Sequence, residues 1–191
     1  MAKGAEDVDL EHLREQVERL SRLIRQQGFG EGLNPVQWEA LRYIARANRF
    51  SNSPSALAQY LGSTKGTVSQ TILSLEKKGL LEKMPSPADA RVVLLTLTAK
   101  GKEFLAKDPL LALRSDIAGL SSKTVKRFAK AVSEILLSEI QRHKQNEFGG
   151  CKNCRHWRDR SGEDVLSLCM YFNQKITKPE LSQLCFYHLQ R

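Results

Sequence analysis

All four cysteines of the chain, Cys151, Cys154, Cys169 and Cys185, lie beyond Gly149-Gly150, and no thiol precedes them. That segregation constrains the fold more than any other feature. Four thiols in so short a segment are what a metal ion or an iron–sulfur cluster requires, and such a segment folds around its shared centre. The preceding residues must then form a domain of their own. The chain is long enough for one such domain plus a small appendage, at 191 residues.

The body reads as helical. Over 8–27, Leu10, Leu13, Val17, Leu20 and Ile24 recur at spacings of three and four, a coiled-coil-like seam that needs a partner surface within the monomer or across a dimer. Glycines at 28, 30 and 32 end it. Asn34-Pro35 opens a second helix, 34–48, with Trp38, Leu41, Ile44 and Ala45 inward and Trp38 a core aromatic. Ser53-Pro54 repeats the signal for a short helix stopped at Gly62. Ser63 or Thr64 then caps a helix over 65–78, with Val68, Ile72 and Leu75 buried beneath a polar outer face.

Two strands follow, 80–84 and 92–97, around a loop of turn residues that carries Asp89 and Arg91. A helix over 98–107 ends at Asp108-Pro109, and another begins near Leu110. A long amphipathic helix over 122–146 turns Val125, Phe128, Val132, Ile135, Leu136 and Ile140 inward.

A short helix, a tight turn, a helix with a polar face and a hairpin make a winged helix-turn-helix, whose second helix suits the major groove of DNA. Candidate contacts are Thr64, Lys65, Thr67, Gln70 and Thr71, with Arg91 at the hairpin tip entering a narrow minor groove. Gln70 is suited to bidentate reading of adenine. Lys65 meets phosphate beside the helix N-terminus, and Asp89 orients Arg91. The net charge of +9 fits a polyanionic partner. No triad, paired-carboxylate, P-loop or dinucleotide signature points to an enzyme. No apolar run reaches a membrane span and no signal peptide opens the chain, so the expected location is cytoplasmic.

These blocks resemble the MarR family of bacterial regulators over roughly 9–146. The resemblance rests on the run 33–38 (LNPVQW), the run 56–62 (ALAQYLG), Thr67-Val68-Ser69-Gln70, the run 75–81 (LEKKGLL), Asp89-Ala90-Arg91 and Leu97-Thr98-Ala99-Lys100-Gly101. It implies a homodimer with intertwined terminal helices, acting as a repressor on a palindromic operator. It also implies a possible site for a small-molecule effector. Members often carry Arg where this chain has Gln70, so the guanine readout an Arg provides is not expected from that position.

The expected fold is therefore mainly α. It comprises an N-terminal dimerisation helix (1–32), a winged helix-turn-helix (33–108), C-terminal dimerisation helices (109–148) and a small four-cysteine metal or cluster module (149–191). In that module Cys151-Lys152-Asn153-Cys154 is a CxxC half-site and the other two cysteines stand singly. The spacing is similar to the ligand pattern of high-potential iron–sulfur proteins and favours a 4Fe–4S cluster; zinc is the alternative. His156 and His188 stay outside the ligand set. Trp157, Tyr171, Phe172, Phe186 and Tyr187 supply an apolar shell. Because the module follows the last dimerisation helix directly, the expected route to DNA is through helix geometry at the dimer interface.

Overall fold

The computed structural model describes residues 8–87, 89–160 and 166–191. Among these residues, seven α-helices and two small antiparallel sheets are arranged in the order α1 (Leu10–Gln27), α2 (Pro35–Arg46), α3 (Pro54–Tyr60), α4 (Lys65–Lys77), β1 (Leu81–Pro85), β2 (Val93–Leu97), α5 (Ala99–Phe104), α6 (Leu111–Ala118), α7 (Ser122–Arg142), β3 (Trp157–Arg160), β4 (Leu166–Cys169) and β5 (Gln174–Lys175). None of the described helices is long and apolar enough to cross a membrane.

Local chemistry sets the helix ends. The Asn34 side-chain carbonyl oxygen accepts the Gln37 N–H at 2.9 Å while the Gln37 side chain accepts the Asn34 N–H at 3.1 Å, a reciprocal capping box with Pro35 in the first turn. Ser53, Thr64 and Thr98 cap α3, α4 and α5 through their hydroxyls. Gly79, at φ 68°, lets the chain leave α4 with the Leu80 N–H returning to the Leu75 carbonyl at 3.0 Å.

α2 is the central helix of the body. Trp38 is fully buried, stacks on Phe104 at 5.2 Å between ring centres and donates its indole N–H to the Gly30 carbonyl. Leu41, Tyr43 and Ile44 are buried with it, against Leu57, Val68, Ile72, Leu75 and the wing residues Leu95 and Leu97. Ala45, expected inward, is exposed; the wide apolar face of α2 runs through Tyr43 instead. β1 and β2 pair antiparallel from Leu81↔Leu97 to Pro85↔Val93 to form the wing.

Of the flanking helices, α7 departs from expectation, while α1 leaves its stripe without a partner surface inside the monomer. α1 and α7 carry no buried residue, and Leu10, Val17, Phe128, Val132, Ile135 and Leu136 are exposed. The stripe on α7 is therefore not inward within one chain. α7 also ends at Arg142 rather than near 146. Lys144 takes a left-handed φ of 51° and the Gln145 N–H returns to the Ile140 carbonyl. No glycine marks that stop.

The tail holds a three-stranded antiparallel sheet, β3-β4-β5, that the sequence did not predict. It is built onto the body: Ala47 and Leu184 form a parallel bridge.

Candidate nucleic-acid interface and cysteine centre

On α4, Val68, Ile72 and Leu75 fasten one side to the core, which turns Lys65, Thr67, Ser69 and Gln70 outward. Thr71 is half-buried and its hydroxyl donates to the Thr67 carbonyl at 3.1 Å. Thr64 is already occupied in part, since its hydroxyl oxygen accepts the Thr67 N–H at 3.2 Å and sits 2.9 Å from the Thr67 hydroxyl. Its first task is to cap the helix.

At the wing tip the Arg91 guanidinium is 91% exposed and forks onto Asp89, with Nε and Nη2 each 3.1 Å from a carboxylate oxygen. Asp89 also accepts the Arg91 backbone N–H, and these bonds hold its carboxyl below the usual range. Arg91 is thus presented away from the body, as a minor-groove contact requires. Lys83, by contrast, is drawn onto Glu76 at 2.6 Å.

The four cysteines come together. Cys151 and Cys154 from the 3-10 turn at the start of the tail, Cys169 at the end of β4 and Cys185 beside the α2 bridge line one cavity. His156, Trp157, Ile176 and Tyr187 close it. All four are free thiols, and only Cys169 is more than marginally exposed. Trp157 lies opposite Cys169 in the β3–β4 register. Tyr171, Phe172 and Phe186 form an aromatic cluster behind Tyr187.

The donor set is all sulfur, in an apolar and nearly closed space. Burial pushes the Cys151 thiol up to about 12, and the neighbouring cysteines add to the shift. A bound cation would favour the thiolate form that burial opposes at Cys151. Among the described residues no three His, Cys, Asp or Glu stand close enough to hold one ion. A tetrahedral zinc with bonds of about 2.3 Å would draw its sulfurs to within about 4 Å of each other. In an iron–sulfur cluster each thiolate would instead serve a different iron.

Of the polar groups around the tail cysteines, Asn48 and Ser51 carry no sequence signal pointing there. The Trp157 indole N–H is buried without a partner beside the cavity. Asn48, 1% exposed, has a buried amide nitrogen with no hydrogen-bond partner at ordinary distance, while its side-chain carbonyl oxygen is fixed by the Phe50 N–H at 3.1 Å. Burial pushes the Cys185 thiol up; the Asn48 amide, the Tyr187 N–H and the Ser51 hydroxyl all act on its sulfur in the opposite sense. His188 is buried with an unpartnered Nδ1, and its imidazole is pushed toward the neutral form by burial.

The body has recognisable relatives. The profile of a family described as the MarR family matches residues 31–92. The transcriptional repressor MprA of Escherichia coli (strain K12) is 30% identical over 118 residues, which cover 61% of this chain and 67% of that protein. Among solved structures, FabT of Streptococcus pneumoniae in complex with DNA superposes with a TM-score of 0.57 at 20% identity, over 70% of this chain and 99% of that one. Wild-type MarR of E. coli in its apo form gives 0.50 at 22% identity, over 69% and 99%. At these identities the solved structures speak to the fold.

Proposed function

The chain belongs to the MarR family, and from that premise we propose that it is a homodimeric repressor whose hold on its operator depends on a 4Fe–4S cluster carried by the C-terminal cysteines. The observation that carries the DNA-binding part is the polar outer face of α4 standing beside a wing whose tip presents the exposed Arg91, aimed by Asp89. α4 enters the major groove with Gln70 on a base edge, Lys65 on phosphate and Thr67 and Thr71 alongside, while Arg91 enters the minor groove.

Homodimer formation is supported by the unpartnered stripes of α1 and α7. Apolar side chains repeated along two helices, most of them left in water, are covered when a second copy lays its own stripes against them. A two-fold dimer spaces its recognition helices for half-sites about 34–36 Å apart.

What supports the cluster is the convergence of four thiols on one apolar cavity. Cys151, Cys154, Cys169 and Cys185 would hold it, and Trp157, Ile176 and Tyr187 would limit solvent. Bound there, a cluster supplies a centre that responds to oxygen, iron supply or redox state. The chain's own part is to keep four sulfurs at fixed positions and to link one of them to the DNA-binding body.

Anaerobic purification of the full chain, followed by iron, sulfide and zinc analysis and visible absorption, tests the cofactor. Iron with acid-labile sulfide and absorption near ~400 nm is the expected result. Colourless protein with about one zinc per chain would make the tail structural. The signal would then be a small molecule, for which the open cleft among Arg42, Arg46, Tyr60, Leu111 and Leu184 is the place to look. Selection of duplexes from random DNA tests the rest; a protein that enriches no palindrome is not this repressor.

A further inference from the structure

The loop 47–53, between α2 and α3, touches three parts of the molecule at once. Toward the tail, the Asn48 N–H donates to the Leu184 carbonyl at 2.9 Å, the Leu184 N–H donates to the Arg46 carbonyl at 2.7 Å, and the Phe186 N–H donates to the Ser51 hydroxyl oxygen at 2.8 Å. These bonds bracket Cys185 on both sides. Arg49 pairs with the buried Glu180 at 3.4 Å, and Phe50 stacks on Phe172 with ring centres 4.1 Å apart.

Toward the wing, the Leu95 N–H donates to the Asn52 carbonyl at 2.6 Å and the Asn52 side chain donates to the Leu95 carbonyl at 3.4 Å. Leu95 is the central residue of β2. Toward the helix-turn-helix, Ser53 caps α3. The Tyr43 hydroxyl donates to the Ser51 carbonyl at 2.6 Å and anchors the loop to the core.

We infer that the DNA-binding body completes the cysteine centre: Asn48 and Ser51 are positioning residues for Cys185, and the 47–53 loop that carries them transmits the state of the centre to the wing and α3. The inference rests on the reading of the four cysteines as a ligand set. It gives a route other than the expected one through the dimer helices, because the residues around Cys185 are bonded to this loop.

Two physical facts make the connection stiff. Ser51 is wholly buried and Asn48 nearly so, so neither exchanges its protein partners for water at low cost. The loop's bonds to Leu95 and to Phe186 leave from neighbouring residues, Asn52 and Ser51. A shift of Cys185 on loading or loss of its bound group therefore displaces the backbone that holds β2. By linkage, a centre that alters operator affinity is itself altered by the operator to the same extent.

Hydrogen–deuterium exchange of the full chain, purified anaerobically, decides the matter. Cys185→Ser should speed exchange about tenfold in the loop and in β2, while α1 and α7 keep parental rates. Should that variant unfold the tail, Ser51→Ala, which leaves all four sulfurs, carries the decision. It should loosen β2 in the same way and speed the loss of bound iron to a chelator. Changes confined to 149–191, or spreading through α7 but not to β2, would overturn the inference. A parent holding no iron, sulfide or zinc refutes the ligand-set reading instead, so the two failures are told apart by metal analysis of the same sample.

Discussion

Arg91 and Asp89 form a two-pronged pair on the same side of the wing tip, with both guanidinium contacts at 3.1 Å. The pair is exposed, so it contributes little to stability. Its effect is on aim: the fork limits the directions in which the guanidinium can point. Arg91→Ala should weaken binding to specific and unrelated duplexes alike and lower the slope of log affinity against log salt by about one. An unchanged slope would remove the wing from the interface.

Gln70 should behave differently. Gln70→Ala is expected to cost about 1–3 kcal/mol on the selected operator and to relax preference at one base pair, with little effect on unrelated DNA. Equal losses on both duplexes would mean that Gln70 touches only the backbone.

Two glycines should respond to alanine with opposite signs. A Cβ on Gly101 would lie 1.9 Å from the Leu80 carbonyl oxygen, whereas one on Gly66, in the exposed first turn of α4, would have only the Thr64 hydroxyl near it, at 3.9 Å. Gly101→Ala should therefore lower the denaturant midpoint sharply by forcing α5 away from the start of the wing. Gly66→Ala should raise stability by about 0.5–1 kcal/mol.

Self-association should fail when the α7 stripe is charged. Ile135 is 61% exposed in the single chain, so Ile135→Glu costs little within the monomer and much between copies. Sedimentation should show a monomer with lost operator binding; an unaltered dimer would place the interface elsewhere.

Acid should act through His188. Burial lowers its imidazole below the ordinary value, so in the folded chain it stays neutral where the unfolded chain takes up a proton. Stability is then full above the unfolded value of about 6.5 and is lost as pH falls below it. Melting of reduced, metal-free protein between pH 7 and 5 should show this loss, and His188→Asn should flatten it. A parallel decline in both proteins would assign the acid sensitivity to other groups.

The body was legible in the sequence because its signals are local. Asn34-Pro35, Ser53-Pro54 and Thr64 cap helices within three residues of themselves, and the buried set Val68, Ile72 and Leu75 follows from helical spacing. The end of α7 was not legible, since Lys144 adopts the left-handed turn that a glycine normally announces. The gathering of the four cysteines follows from their isolation in one segment, but the sheet that spaces them does not. β5 is only two residues long and pairs through its backbone. Least legible were Asn48 and Ser51. The bond from Phe186 to Ser51 spans 135 residues of sequence, and nothing near either residue marks the other.

The bridge between Ala47 and Leu184 bears on how such a chain can change over generations. Leu184 gives its N–H to the Arg46 carbonyl at the end of α2 and takes the Asn48 N–H in return. The tail thus finishes a helix of the body, and it is no detachable cassette. A lineage that loses residues 149–191 exposes the buried faces of Asn48 and Ser51 in the same event. Substitutions at these two positions and at Cys185 should therefore travel together through descent, and inheritance would treat the distant tail and the loop as one trait.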